Sequence, residues 1–95
     1  MTNEEELRYV AESIRRIRKA KKISQLELST KANLSQSFLA NLEKFKKEPS
    51  AMTLIRIARA LECSPRDFFP ESTFQNIDTD RSEIKKESVS LLERL

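Results

Sequence analysis

Two Ser-Gln pairs are the residues of this chain whose types and spacing best suit specific hydrogen bonding: Ser24-Gln25 and Ser35-Gln36, eleven residues apart. A serine hydroxyl can accept a hydrogen bond at the start of a helix, and a glutamine amide presents a donor beside an acceptor. Such groups bind and orient a partner. The chain has no His and no Gly, and it shows no catalytic triad, phosphate loop or metal-ligand cluster. We therefore expect neither an enzyme nor a bound cofactor or metal.

Both pairs lie where a helix is predicted to begin. Ser24 is followed three residues later by Glu27, the pattern of a capping box. Asn33 tolerates the left-handed conformation of a tight turn, and Ser35 then caps the next helix. The interval between the pairs equals one short helix plus a tight turn. This layout predicts a helix-turn-helix over residues 24–44.

Three further helices are predicted around this unit. The spacing of apolar residues indicates a helix from about residue 4 to residue 21, with acids at its start and bases at its end. Ser50 caps a fourth helix, and Ser64 with Pro65 begins a short fifth helix that Pro70 closes. The predicted core residues are Leu28, Ala32, Leu34, Leu39, Leu42, Leu54, Ile57, Ala58 and Leu61. The absence of glycine and the 35% of charged residues favour an all-α fold.

The charge of the chain is unevenly distributed. Residues 1–69 hold fourteen Lys or Arg against nine Asp or Glu, whereas residues 70–95 hold four against six. This asymmetry indicates an anionic partner for the first part. A single Cys, an acidic start and the lack of any apolar run near the ~20 residues of a membrane span predict a cytoplasmic protein without a membrane segment.

The segment from Arg15 to Glu71 resembles the DNA-binding domain shared by phage repressors, Cro proteins and the xenobiotic-response-element family of regulators. The resemblance rests on ordered markers: an Ile-Arg-x-x-Arg helix, two Ser-Gln helix starts, Leu-Glu, Pro-Ser and an Ile-Ala-x-x-Leu helix. It implies a five-helix lambda-repressor-like DNA-binding domain over residues 1–70. It also implies that the helix over residues 35–44 lies in the DNA major groove while the preceding helix crosses the backbone.

The same resemblance implies roles for single residues. The family's first-turn glutamine of helix two, here Gln25, contacts a phosphate and braces the glutamine of helix three, here Gln36. The amide of Gln36 suits adenine N6 and N7. A family ion pair between helices one and three corresponds to Arg18 and Glu43, which we interpret as structural. The predicted DNA-binding residues are Gln25, Ser35, Gln36, Ser37, Phe38, Asn41, Lys44, Lys46 and Lys47.

Three positions depart from the family pattern or carry a reactive side chain. Asn33 and Phe45 stand where the family often has glycine, and only Asn33 is suited to a positive φ. We therefore expect helix three to run longer, or its exit loop to differ. Cys63 occupies a Val-like core position, which predicts a buried and inert thiol.

The character of the sequence changes after Pro70. Residues 71–79 are predicted to form a linker and residues 80–95 a C-terminal helix, which needs a surface to pack on because a short lone helix is marginal in water. An apolar stripe there favours dimerisation. The predicted dimerisation residues are Phe74, Ile84, Leu91 and Leu95.

The preferred function is a sequence-specific transcriptional regulator, a repressor, that binds double-stranded DNA at an inverted-repeat operator as a homodimer. The alternatives are a protein-interaction adaptor and an antitoxin, each using the same scaffold with the C-terminal helix bound to a partner protein. Fold alone does not decide between them. A polar outward face on the helix over residues 35–44 favours DNA, whereas an adaptor would need a more apolar one.

Overall fold

Four α-helices and a short 3-10 helix follow one another in residues 2–74, the part of the chain that the computed structural model describes. The helices α1 to α4 span Asn3–Ala20, Gln25–Lys31, Gln36–Glu43 and Ala51–Leu61, and the 3-10 helix spans Pro65–Phe68. This confirms the predicted all-α class and the order of the five helices. The fifth is a 3-10 helix, and none of them is long and apolar enough to traverse a membrane.

A hydroxyl side chain caps the start of every one of these five helices. Ser24 Oγ accepts from the Glu27 N–H at 3.0 Å, and Ser35 Oγ accepts from the Phe38 N–H at 3.0 Å. The capping box predicted for Ser24 is only half formed, since complete boxes occur at Thr2 and Ser64 instead. The cap residues are Thr2, Ser24, Ser35, Ser50 and Ser64.

The four α-helices end in one common motif, although the chain contains no glycine. In each, a left-handed residue follows the last turn, and the next N–H bonds to a carbonyl five positions earlier, which is the Schellman arrangement. Asn33 takes this conformation with φ 56°, as predicted. The left-handed residues are Lys22, Asn33, Phe45 and Glu62.

The expectation for the end of helix three was wrong. α3 stops at Glu43, and Phe45 adopts φ 70° in the position that a glycine would fill. Two contacts offset the steric cost. The Lys46 N–H bonds to the Asn41 carbonyl at 2.8 Å, and the guanidinium of Arg8 lies 5.0 Å from the centroid of the Phe45 ring.

The core lies between the inner faces of the helices and supports α3 from behind. Leu39 and Leu42 of α3 are 0% and 1% exposed, and Phe68 closes the core from the 3-10 helix at 0%. All nine predicted core residues lie in this cluster or pack against it. Burial of the α3 leucines therefore determines which side of that helix faces outward.

The folded part continues past Pro70. Residues 71–74, at the start of the predicted linker, are helical. The Phe74 ring meets Phe69 edge-on at 5.7 Å, and the Arg66 guanidinium lies 4.3 Å over the same ring. Phe74 thus packs on its own domain. The other predicted dimerisation residues and the predicted helix over residues 80–95 lie outside the described residues.

Cys63 is half-buried and packs against the core. Burial raises the pKa of its thiol, and the nearby Asp67 carboxylate raises it further, while the ammonium of Lys21 opposes both. A raised pKa favours the protonated thiol over the nucleophilic thiolate at neutral pH. The expected full burial of Cys63 is not reached, and its inertness stays a prediction.

Candidate nucleic-acid interface

A tight turn fixes α2 against α3. Asn33 reverses the chain, and the Leu34 N–H bonds to the Ser29 carbonyl at 2.8 Å. Ser29 is 2% exposed, and its hydroxyl donates to the Leu26 carbonyl at 2.9 Å. Because this small residue satisfies its own hydroxyl within α2, the two helices can pack closely at that point. The result is a closely packed pair of short helices.

The outward face of α3 carries three polar side chains. At about 100° per residue, Gln36, Ser37 and Asn41 fall within one arc of roughly 140°, opposite the buried leucines. Gln36 and Ser37 are exposed, and Asn41 is half-buried. Within residues 2–74, no hydrogen bond ties any of these three side chains, so their donors and acceptors are available to a ligand.

Ser35 and Phe38, which were also predicted to contact DNA, have structural roles in the folded chain. The Ser35 hydroxyl oxygen is the helix cap, which leaves its O–H free to donate. Phe38 is half-buried against the core. Packing is therefore part of the role of Phe38.

A buried ion pair joins α1 to the end of α3. Arg18 donates from Nε to Glu43 Oε2 at 2.8 Å and from a terminal nitrogen to Oε1 at 2.9 Å. Its other terminal nitrogen donates to the Ile23 carbonyl at 2.9 Å. The two side chains are 9% and 3% exposed. The expected ion pair is thus present, and it also holds the loop that leads into α2.

Gln25 joins this pair. Its side-chain nitrogen donates to Glu43 Oε1 at 3.1 Å. The brace between Gln25 and Gln36 that the resemblance implied is absent among the described residues. The physical reason is the charge of Glu43, because a carboxylate is a stronger acceptor than a neutral amide oxygen.

The six basic residues between positions 15 and 22, in the last turns of α1 and the loop after it, have different roles. Arg18 belongs to the ion pair, and the ammonium of Lys21 donates to the backbone carbonyls of Leu61 and Glu62 at the end of α4. A cation there complements the helix dipole. The role of Lys21 was missed by sequence reasoning, because its partners lie 40 and 41 positions away. The remaining members are exposed: Arg15, Arg16, Lys19 and Lys22.

The exit of α3 presents three exposed lysines. Lys44 is the C-cap of α3, and Lys46 and Lys47 follow the left-handed Phe45. The Schellman bond and the Arg8 contact fix the path of this loop. All three side chains are therefore exposed just after the end of α3. Sequence reasoning missed Arg8, because its partner Phe45 lies 37 positions away.

These features define a class. Two capped helices joined by a left-handed turn, with a polar outer face and a buried rear, make a helix-turn-helix of the repressor kind. The chain belongs to the Cro/C1-type helix-turn-helix family, whose model, described as helix-turn-helix, matches residues 14–68. That family consists of DNA-binding transcription regulators, which are not an enzyme class.

A repressor of a bacterial virus is among the similar proteins. The immunity repressor protein of Bacillus phage phi105 is 46% identical over 52 residues, which are 55% of this chain and 36% of that protein. The chain therefore spans only about a third of the length of this relative.

Two solved structures show the same fold. The restriction-modification controller protein C.AhdI from Aeromonas hydrophila is 28% identical, with a TM-score of 0.65 over 66% of this chain and 96% of that chain. The P22 c2 repressor, solved in complex with a synthetic operator, is 32% identical, with a TM-score of 0.59 over 63% of this chain and 91% of that chain.

Proposed function

We propose that this protein is a sequence-specific transcriptional regulator, a repressor, that places α3 in the major groove of double-stranded DNA. The observation that carries the proposal is the outer face of α3. Gln36 and Ser37 are exposed there and make no hydrogen bonds within residues 2–74, while Leu39 and Leu42 hold the helix from behind. A rigid helix with free amide groups is suited to reading base edges.

Gln36 is the principal reader in this proposal. It lies in the first turn of α3, which is the part of a recognition helix that contacts base edges. Its amide can bond both N6 and N7 of adenine, and such a pair contributes about 1–3 kcal/mol of discrimination. Ser37 and Asn41 are the neighbouring readers.

Contacts to the DNA backbone come from residues on both sides of Gln36. Gln25, in the first turn of α2, binds a phosphate, while Lys44, Lys46 and Lys47 bind phosphates beside the other end of α3. Contacts of this kind fix register on the duplex and carry no sequence information directly. The P22 c2 repressor, which shares the fold, was solved with operator DNA.

The proposed assembly is a homodimer on an inverted repeat. A single module of this kind buries only ~600–1,000 Å² on DNA, so paired half-sites about one helical turn apart supply the missing affinity. Residues 80–95, with the apolar Ile84, Leu91 and Leu95, are the proposed dimerisation element. Their deletion should lower DNA affinity while residues 2–74 stay folded. A truncated protein that remains dimeric and binds equally well would show that this element is not the dimer contact.

The test of the main proposal is selection of bound DNA from a random library at fixed salt. The wild type should yield a palindromic consensus. The consensus selected by Gln36→Ala should lose its base preference at one base pair in each half-site. The control Gln25→Ala should bind more weakly and select the same consensus as the wild type. Weak, salt-sensitive binding by the wild type with no consensus would refute sequence-specific reading.

The adaptor alternative receives less support from the surface. Within residues 2–74 the exposed large apolar side chains are Tyr9, Leu26 and Met52, and all three lie outside α3. A protein-binding α3 would need such groups on its own outer face. The antitoxin alternative rests on residues 80–95, which lie outside the described part. Co-purification of a stable partner protein in place of DNA would favour these alternatives.

A further inference from the structure

Glu43 accepts hydrogen bonds from two different elements at the base of the helix-turn-helix. Its Oε1 takes one N–H from Arg18 at 2.9 Å and one from the Gln25 amide at 3.1 Å, while its Oε2 takes a second N–H from Arg18 at 2.8 Å. The Glu43 side chain is 3% exposed. In this poorly solvated place, charge-assisted hydrogen bonds are short and hold their geometry.

The carboxylate determines which way the Gln25 amide points. A carboxylate only accepts, so the amide must turn its nitrogen towards Glu43 and its oxygen away. The flipped amide would place a carbonyl oxygen against a buried negative charge. A neutral glutamine partner, as in the brace implied by the family resemblance, could serve either orientation. The charge of Glu43 removes that freedom.

We propose that Glu43 is a positioning residue for DNA-backbone binding by Gln25. One N–H of the Gln25 nitrogen is held by Glu43, and the other N–H is presented to a phosphate oxygen. Arg18 completes the arrangement, because it neutralises Glu43 and so keeps a buried anion from repelling that phosphate. The inference rests on the proposed DNA-binding function and assigns the ion pair a second task beside stability.

The test compares Gln25→Ala in two backgrounds. One is the wild type, and the other is the double variant Arg18→Met/Glu43→Leu, which keeps the volume of the pair without its charges and leaves the net charge unchanged. Affinity for a fixed operator and its dependence on salt are measured for all four proteins, at matched folded fraction. Gln36→Ala in both backgrounds serves as the control.

In the wild-type background, Gln25→Ala should lower affinity roughly fivefold, as expected for one lost hydrogen bond. The Arg18→Met/Glu43→Leu double variant should by itself lower affinity by about the same factor. Adding Gln25→Ala to that variant should lower affinity no further. The slope of log affinity against log salt should not change, since no charged phosphate contact is removed. Gln36→Ala should cost the same factor in both backgrounds.

Equal losses from Gln25→Ala in both backgrounds, with full affinity of the Met/Leu variant, would overturn the inference and leave the ion pair a purely structural role. Failure of the wild type to select any DNA sequence would instead overturn the proposed function. The side-chain NH2 signals of Gln25 in the wild type give an independent reading. One proton should exchange slowly before DNA is added and the other should shift on binding. Two protons as freely exchanging as those of Gln36 would contradict the proposal even if the Met/Leu variant did not fold.

Discussion

Gln25 and Gln36 begin two consecutive helices in the same way and end in different environments. Each follows a left-handed residue, an apolar residue and a serine cap, and the two caps have nearly equal torsions, φ −75° and ψ 163° against φ −72° and ψ 148°. Yet the first amide is bonded to a buried carboxylate, whereas the second is exposed and unbonded within residues 2–74.

The difference shows how one local motif can serve two tasks. The left-handed residue, the apolar residue and the serine cap start a helix and place the glutamine in its first turn. What the glutamine then does depends on the neighbour that the fold brings to it. At α2 that neighbour is Glu43, so the amide is held in one orientation. At α3 no side chain of the described part occupies the amide, so it is free for a ligand.

The largest expected effect concerns the ion pair beneath Gln25. Arg18→Ala should lower the free energy of unfolding by about 3–5 kcal/mol, because Glu43 is left buried and uncompensated. Urea denaturation followed by circular dichroism measures this loss. The control Arg15→Ala removes an exposed arginine one turn earlier on α1, and it should change stability by no more than about 0.5 kcal/mol. Equal effects of the two changes would mean that the pair contributes nothing beyond surface charge.

Replacing each glutamine tests the contrast directly. Gln25→Ala should cost about 1.5 kcal/mol of stability, since it removes a hydrogen bond to a charged group. Gln36→Ala should cost nothing measurable, because alanine favours the helix and no bond within the described part is lost. Thermal and urea unfolding of both variants without DNA would reveal the difference. A measurable loss at Gln36 would show that its amide is not free.

The two serine caps should respond alike. Ser24→Ala and Ser35→Ala each remove one cap bond of 3.0 Å, and each should cost about 1 kcal/mol. Ser24→Gly and Ser35→Gly should each lower stability by only about 0.3 kcal/mol, since glycine is a tolerated cap residue. Unequal losses between the two alanine variants would break the equivalence of the two helix starts.

The smallest effect is expected at the left-handed residues before the caps. Lys22 has φ 58° and an exposed side chain. Lys22→Gly should raise stability by about 0.5 kcal/mol, the relief of left-handed strain less the greater entropy of unfolded glycine. Asn33→Gly, the matched change before Ser35, should gain less because asparagine tolerates this conformation. Calorimetry should therefore place the melting temperature of the Lys22 variant above that of the Asn33 variant.

Much of the fold follows from local signals. Serine caps, apolar spacing and Asn33 predict α1 to α4 to within a few residues, and the nine predicted core positions lie in or against the core. Where local propensity opposed the observed backbone, prediction failed. Phe45 is a poor residue for positive φ, and only its contact with Arg8 and the Schellman bond explain why α3 ends there.

The sequence by itself determined where the helices start, which of their faces is buried and which residues form the outer face of α3. Those properties depend on hydrogen bonds and apolar spacing within a few residues of one another. Only the tertiary structure decided that Gln25 bonds Glu43, eighteen positions away, and that Lys21 caps α4, forty positions away. Partners so far apart in sequence meet only after the helices have packed, because local preferences contain no information about which helix ends approach each other.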